Sequence, residues 1–277
     1  MTNAVALSSL AFWTPRGVSI NSAPAPLTGG RELAPWPQAL EISGIHSRSR
    51  RPHAQAVAIV QLAHALLSAR AASSGKDPAE PSLAETDLLI GTRSGSTVAD
   101  LDFLEGVINR GPGFGSPSTF VYTLPTAPLA EIAIALGLRG ALATVTAGNV
   151  SGLTSIARAA AHVAAGRSRA CLTGGMEMLP TTKSGASSPP DFIALFLLEP
   201  AAEDNRYPLI HQWDVGFGEP LPPSSRPVGR SELSALCSLA SAARQGAGIQ
   251  EICGSSAEGY WARLTIGHVG VPRLRSG

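Results

Sequence analysis

The residues of this chain best placed to do chemistry lie in a single tight turn, Gly148-Asn149-Val150-Ser151-Gly152. A short β-prone run around Val145 leads into it, and Leu153, Ile156, Ala159, Ala160 and Val163 follow at helical spacing until Gly166. Strand, turn and helix make an elbow, which exposes one side chain and aims the N-terminal amides of the helix at developing negative charge. Acyl-transfer chemistry uses such an elbow to present a nucleophile. The elbow residue here is Asn149, whose amide nitrogen is conjugated with its carbonyl and cannot attack a thioester. Asn149 is left two roles: donating a hydrogen bond to a carbonyl, or fitting the turn and capping the helix that starts near Val150, which is the expectation.

Several elements must position that elbow. Residues 87–92 read as a buried strand that runs into Ile90-Gly91-Thr92-Arg93-Ser94-Gly95 and then a helix over 98–108. Residues 126–136 form an amphipathic helix that closes on Gly137-Leu138-Arg139-Gly140; a buried strand carrying Cys171 runs into the Gly-Gly turn of Gly174-Gly175-Met176-Glu177; residues 192–200 form another strand, ending in Leu197-Leu198-Glu199-Pro200.

These motifs resemble those of the β-ketoacyl synthases, condensing enzymes of the thiolase fold. That family reads roughly I-G-T-G-x-G, G-P-x-x-S-x-x-T-A-C-x-S-G, A-G-G-A-E and L-L-E-P in the same order. Counted without a gap back from Ser151-Gly152, or forward from Gly140, the nucleophilic cysteine falls on Asn149. The long insertion of the family after A-G-G-A-E is cut to a short loop at 181–190. The resemblance covers about residues 40–200, the first βαβαβαβ half of the fold, and the alternation predicts a mostly parallel layered sheet.

The remainder is thinner. Residues 207–213 read as a strand, 221–227 as a loop, and 231–244 as a helix with Leu233, Leu236, Cys237 and Ala240 aligned. Residues 248–257 have the cadence of the family's strand entering H-G-T-G-T, so the resemblance places Cys253 at the first catalytic histidine. Gly267-His268 is similar to the second histidine motif but lies too close to Cys253, and a coincidence is the reading taken. The fold class expected is α/β, a layered α-β-α thiolase-like fold. It forms one domain over residues 1–277, with a well-formed N-terminal half (1–200) and a shortened C-terminal half (201–277).

Composition agrees with a compact protein: 277 residues, 44% hydrophobic and 15% charged. A net charge of +1 gives no argument for nucleic acid. The basic cluster of Arg48, Arg50 and Arg51 with His46 and His53 reads as a solvated helix entrance. An amphipathic helix follows over 52–71, whereas 12–37, with Trp13, Trp36 and many prolines, is too broken for regular structure and reads as an arm over the core. Cys171, Cys237 and Cys253 lack the spacing of a disulfide framework or a zinc site, so no metal or other cofactor is expected. No basic-then-apolar leader and no apolar run of about 20 residues stands out. A cytoplasmic location, with neither membrane nor nucleic acid as partner, is expected.

Claisen condensation requires a thiolate to carry the acyl group and histidine donors to stabilise the enolate and oxyanion. With Asn149 and Cys253 at those positions, no catalytic residue is assigned. The resemblance then implies a catalytically silent subunit. In type II polyketide systems such a subunit, the chain-length factor, pairs with an active β-ketoacyl synthase, shapes its acyl tunnel and meets acyl carrier protein through the complex. The short C-terminal half is especially similar to small members of aryl polyene pathways. By that resemblance residues 141–147, with Thr144 and Thr146, are the dimer strand, and Leu124, Thr126, Leu129 and Ile132 are candidates to reach the partner's tunnel, while for any one of the apolar ones a place in the ordinary core is the reading taken. Two other readings stay open: a decarboxylase or acyl-binding enzyme working through Asn149 and His268, and a structural scaffold of a biosynthetic complex.

Overall fold

The structure, a computed structural model, describes residues 4–24, 32–35, 54–74, 84–179, 190–202, 207–218, 231–245 and 248–268. The basic cluster at 46–53, Trp36, and the loops expected at 181–189 and 221–227 lie outside the described residues.

In chain order the elements are β1 (Val5–Thr14), β2 (Gly17–Ile20), α1 (Ala54–Ser74), β3 (Asp87–Gly91), α2 (Thr97–Arg110), α3 (Ala127–Leu136) and β4 (Leu142–Val145). These are followed by α4 (Ser151–Ala164), β5 (Cys171–Glu177), β6 (Phe192–Pro200), β7 (Leu209–Phe217), α5 (Glu232–Gln245), β8 (Gln250–Ser255) and β9 (Tyr260–Gly267). Between α2 and α3 lie short helical turns at Pro112–Phe114, Pro117–Phe120 and Val121–Thr123.

One nine-stranded sheet runs through the molecule in the order β4-β3-β5-β6-β1-β7-β9-β8, with β2 paired beside β1. Parallel pairing is confined to β3 with β4 and with β5; every other pairing of the named strands is antiparallel. This corrects the expectation of a mostly parallel sheet. A crossover helix is what forces strands parallel, and several connections here are direct returns: β1 to β2, β5 to β6 and β8 to β9. The C-terminal part repeats the N-terminal plan on a smaller scale. β6 pairs with β1 and β5 lies beyond it, and in the same way β9 pairs with β7 and β8 lies beyond it, with α4 and α5 packed against the same face.

Residues 12–20 also differ from the expectation of an irregular arm over 12–37. β1 continues through Phe12 and Trp13 to Thr14, and the chain turns at Gly17 into β2. β1 is buried along its whole length because it is a central strand covered on both faces. A bulge between Leu7 and Ser9 shifts its alternation. Val5, Leu7, Leu10 and Phe12 therefore enter the cluster beneath α4 and α5, and Ala11 and Trp13 enter the one beneath α1 and α3. Phe12 meets Phe196 edge to face, with centroids 5.6 Å apart.

The layers are thus helix, sheet, helix. α1 was expected to be amphipathic, yet it is covered around most of its circumference: Ile59, Leu62, Ala63 and Leu66 are fully buried, and Val60, Ala65 and Leu67 nearly so. Its stretch Gln55–Ser73 is long and apolar enough to cross a bilayer by length and composition. It is not an unbroken apolar run, since Gln61, His64, Ser68 and Arg70 interrupt it, and most of its apolar side chains lie in the core.

Candidate functional site

The elbow forms where the parallel strands end. In an α/β sheet the carboxyl ends of parallel strands are where ligands gather, because the loops there can diverge. β3 ends at Gly91 and delivers Arg93 and Ser94; β4 leads to Asn149; β5 ends at Glu177. Gly91 is needed for this convergence, since a Cβ there would overlap the backbone of Ser151. Gly148 makes the turn with φ +57, a conformation that glycine adopts without strain.

Ser151 braces the turn: its Oγ accepts from the Ala147 amide at 2.9 Å and donates to the Gly148 carbonyl at 2.7 Å. The residue at the cap position of α4 is Val150, which offers no side-chain acceptor. Asn149 does not cap the helix, contrary to expectation. Its Oδ1 faces away and accepts from Arg93 Nη1 at 3.0 Å. The acceptor for the start of α4 comes from far along the chain, where Glu232, in the first turn of α5, takes the Gly152 amide. One carboxylate thereby ties the two central helices together.

Glu177 is the second buried acid. It accepts from the Arg93 amide, from the Ser94 amide at 3.1 Å and from Ser94 Oγ at 2.7 Å. Burial raises its pKa above the usual carboxylate value, and these hydrogen bonds oppose the shift. Burial, with the nearby charge of Glu177, pushes Glu232 up to about 8. Glu258, exposed in the β8–β9 turn, lies against Gly148, and hydrogen bonds from its own amide and from Ser256 lower its pKa.

Between these groups is a cavity of about 220 Å³ whose walls include Arg93, Asn149, Glu177, Phe192, Glu232 and Leu233. None of the cysteines lines it. Cys171 lies in the core beneath α4 with its pKa raised by burial; Cys237 sits partly buried on α5, pushed up to about 11. Cys253 shares its strand face with Glu251 and is registered against Arg263, while its neighbour Ile252 faces the core and Gly254 packs against Val150 and Leu153 of the elbow. The thiol therefore points away from Asn149. His268 is farther off: β9 runs from Tyr260 near the elbow to Gly267 at the opposite end, and His268 Nε2 lies 3.1 Å from the Ala243 carbonyl there. Among the described residues no cluster of three or more His, Cys, Asp or Glu side chains is placed to hold a metal ion.

The residues expected at a tunnel or interface divide into two groups. Leu129 and Ile132 are fully buried against α1 and β3 and do not reach the surface. Leu124 is 61% exposed, Thr126 and Thr144 are half-buried, and Thr146 is exposed. β4 is an outer strand of the sheet, and α3 packs against both β4 and the Val121–Thr123 turn. Leu142 on β4, Ile134 on α3 and Val121 and Phe120 in the turns before α3 are exposed, as are Ile108 and Phe114 farther back along the chain.

A layered α/β/α sheet with a strand-turn-helix elbow at the carboxyl ends of its parallel strands defines the thiolase-like class. The chain belongs to the β-ketoacyl synthase family: the profile of its N-terminal domain (Beta-ketoacyl synthase, N-terminal domain) matches residues 40–188, more than half of the chain. No curated protein gives a match. Among solved structures it is similar to the ishigamide ketosynthase/chain length factor, with TM-score 0.71 and 15% identity over 96% of this chain and 100% of that one. It is also similar to a type II polyketide synthase acyl-carrier protein in complex with its ketosynthase bound to the hexaketide, with TM-score 0.71 and 12% identity over 97% and 100% of the two chains. A third is a ketosynthase in complex with its chain length factor from Xenorhabdus doucetiae, with TM-score 0.60 and 14% identity over 96% and 99%. At these identities the likeness establishes the fold.

Proposed function

We propose that this chain is a non-catalytic ketosynthase-like subunit that pairs through β4 with a cysteine-bearing β-ketoacyl synthase and helps shape its acyl tunnel during polyketide or polyene assembly on an acyl carrier protein. The observation that carries this reading is the elbow itself. Its frame is intact, but the presented side chain is an amide hydrogen-bonded to Arg93, and among the described residues no thiol or imidazole joins it. Beside that silent site lie an outer strand and a set of exposed apolar side chains, which suit a partner better than solvent. In this reading Leu124, Thr126, Thr144 and Thr146 meet that partner, and the buried Leu129 and Ile132 support them from the core. The solved structures with this fold include ketosynthases held with chain length factors, which supports the same reading.

The decarboxylase reading is weaker chemically. His268, the imidazole that reading pairs with Asn149, lies at the other end of the sheet against the Ala243 carbonyl. Co-expression of this chain with a ketosynthase of the same genome tests the proposal. A stable heterodimer on size-exclusion chromatography is the expected result, with poor solubility or weak self-association of this chain alone. Absence of a heterodimer, with the ketosynthase fully active by itself, overturns it.

A further inference from the structure

At the pole opposite the elbow a second cavity, of about 240 Å³, opens between β1, the start of β7 and the end of α5, with Leu7, Leu10, Asn21, Pro208, Arg244 and His268 among its walls. Asn21, which has φ +52, returns the chain from β2 onto β1, and its amide donates to the Leu10 carbonyl at 2.7 Å. Asparagine tolerates this left-handed conformation better than most residues.

The orientation of the Asn21 side chain is fixed by chemistry. The Leu10 N–H can only donate, so the side-chain atom 3.2 Å from it is the carbonyl oxygen, which also takes the Ser9 hydroxyl at 2.8 Å. That leaves the NH2 group of Asn21, a residue of the cavity wall, with no hydrogen-bond partner among the described residues. Arg244, exposed in the last turn of α5, has no ion-pair partner among the described residues. The neighbouring carbonyl of Ala243 is engaged by His268, which reduces the negative end of the helix at this point. Among the described residues no carboxylate lines the cavity, in contrast to the elbow cavity with Glu177 and Glu232.

We propose that this cavity binds a small carboxylate, with its oxygens held by the Asn21 amide and the Arg244 guanidinium and its short apolar body against Leu7, Leu10 and Pro208. Donors of fixed orientation and an uncommitted guanidinium recognise a planar carboxylate in the way that makes such bonds strong. The assignment is independent of any pairing through β4.

Isothermal titration of the full chain with butyrate and benzoate, with butyramide as the neutral isostere and inorganic phosphate as a second anion, tests it. The carboxylates bind saturably and at least about tenfold more tightly than butyramide or phosphate. Asn21→Asp keeps the acceptor for Ser9 and Leu10 but replaces the donor with a second oxygen, and Arg244→Gln changes only an exposed side chain. Each weakens butyrate about tenfold or more at unchanged melting temperature; if Asn21→Asp does not fold, Arg244→Gln carries the test. No saturable binding, equal binding of butyramide, phosphate binding as tight as butyrate, or unaltered affinity in the folded variants each overturns the assignment.

Discussion

Arg93 donates from Nη1 to Oδ1 of Asn149 at 3.0 Å, so the side chain that the elbow presents is held by the neighbouring strand end. By the resemblance carried by the sequence motifs, Arg93 stands where the pattern has a glycine and Asn149 where it has a cysteine, and the two side chains touch.

Placing a thiol there would reveal the elbow's electrostatics. In Asn149→Cys the new thiol lies beside the Arg93 guanidinium, which favours the thiolate. The native cysteines have raised pKa values: Cys237 is pushed up to about 11, and Cys171 and Cys253 are also raised. Iodoacetamide at neutral pH should therefore label position 149 first, by at least about tenfold in rate, as read by peptide mass spectrometry. Equal labelling of Cys237 would contradict this placement of Arg93.

The link between Glu232 and Gly152 gives a stability prediction with a definite sign. Glu232 is raised from 4.5 to about 8 in the fold, so across that window the folded state holds a proton that the unfolded chain has released. Stability contributed at this site therefore falls as pH rises from about 4.5 to about 8 and is level above. Glu177 shifts in the same direction. Glu232→Gln retains an acceptor for the Gly152 amide and should flatten this slope, with a gain on the order of 1–3 kcal/mol at pH 8. Glu232→Ala leaves that amide unpaired and should cost roughly 1–3 kcal/mol at pH 5. Urea unfolding at the two pH values reads both; an unchanged slope in Glu232→Gln would count against the account.

Core and surface roles separate on either side of Thr126. Ile132→Ala should destabilise the chain by about 2–5 kcal/mol because the site is fully buried. Leu124→Trp, at a position 61% exposed, should stay within about 0.5 kcal/mol of the parent yet shift the chain length of the product made with the partner. Thermal melts and product mass spectra distinguish the two; a Leu124→Trp complex with unchanged products would favour a scaffold without a shared tunnel.

Much of the frame was legible because periodicity reports it locally. The strand at Asp87–Gly91, the helices at Thr97–Arg110 and Ala127–Leu136, and the elbow with its following helix all stand where the pattern places them. Strand direction was not legible, because a βα alternation hides the direct returns of β5 to β6 and β8 to β9. The role of Asn149 was misread because capping is a local rule, whereas its hydrogen-bond partner Arg93 is 56 residues away. Arg93 and Glu177 sat within motifs quoted for other reasons. Glu232 carried no local signal, since its partner Gly152 lies 80 residues earlier and only the packing of α5 on α4 joins them. Leu129 and Ile132 share the apolar face that made the helix predictable, and that face was claimed by α1.

The most direct test is native mass spectrometry of this chain purified with a cysteine-bearing ketosynthase, using the parent and Leu142→Lys, which places a charge on the outer strand β4 without touching the core. A one-to-one heterodimer for the parent, and an affinity reduced at least about tenfold for Leu142→Lys, is the result predicted. A parent that gives no heterodimer, or a heterodimer indifferent to Leu142→Lys, would contradict the proposal that β4 is where this silent subunit meets its partner.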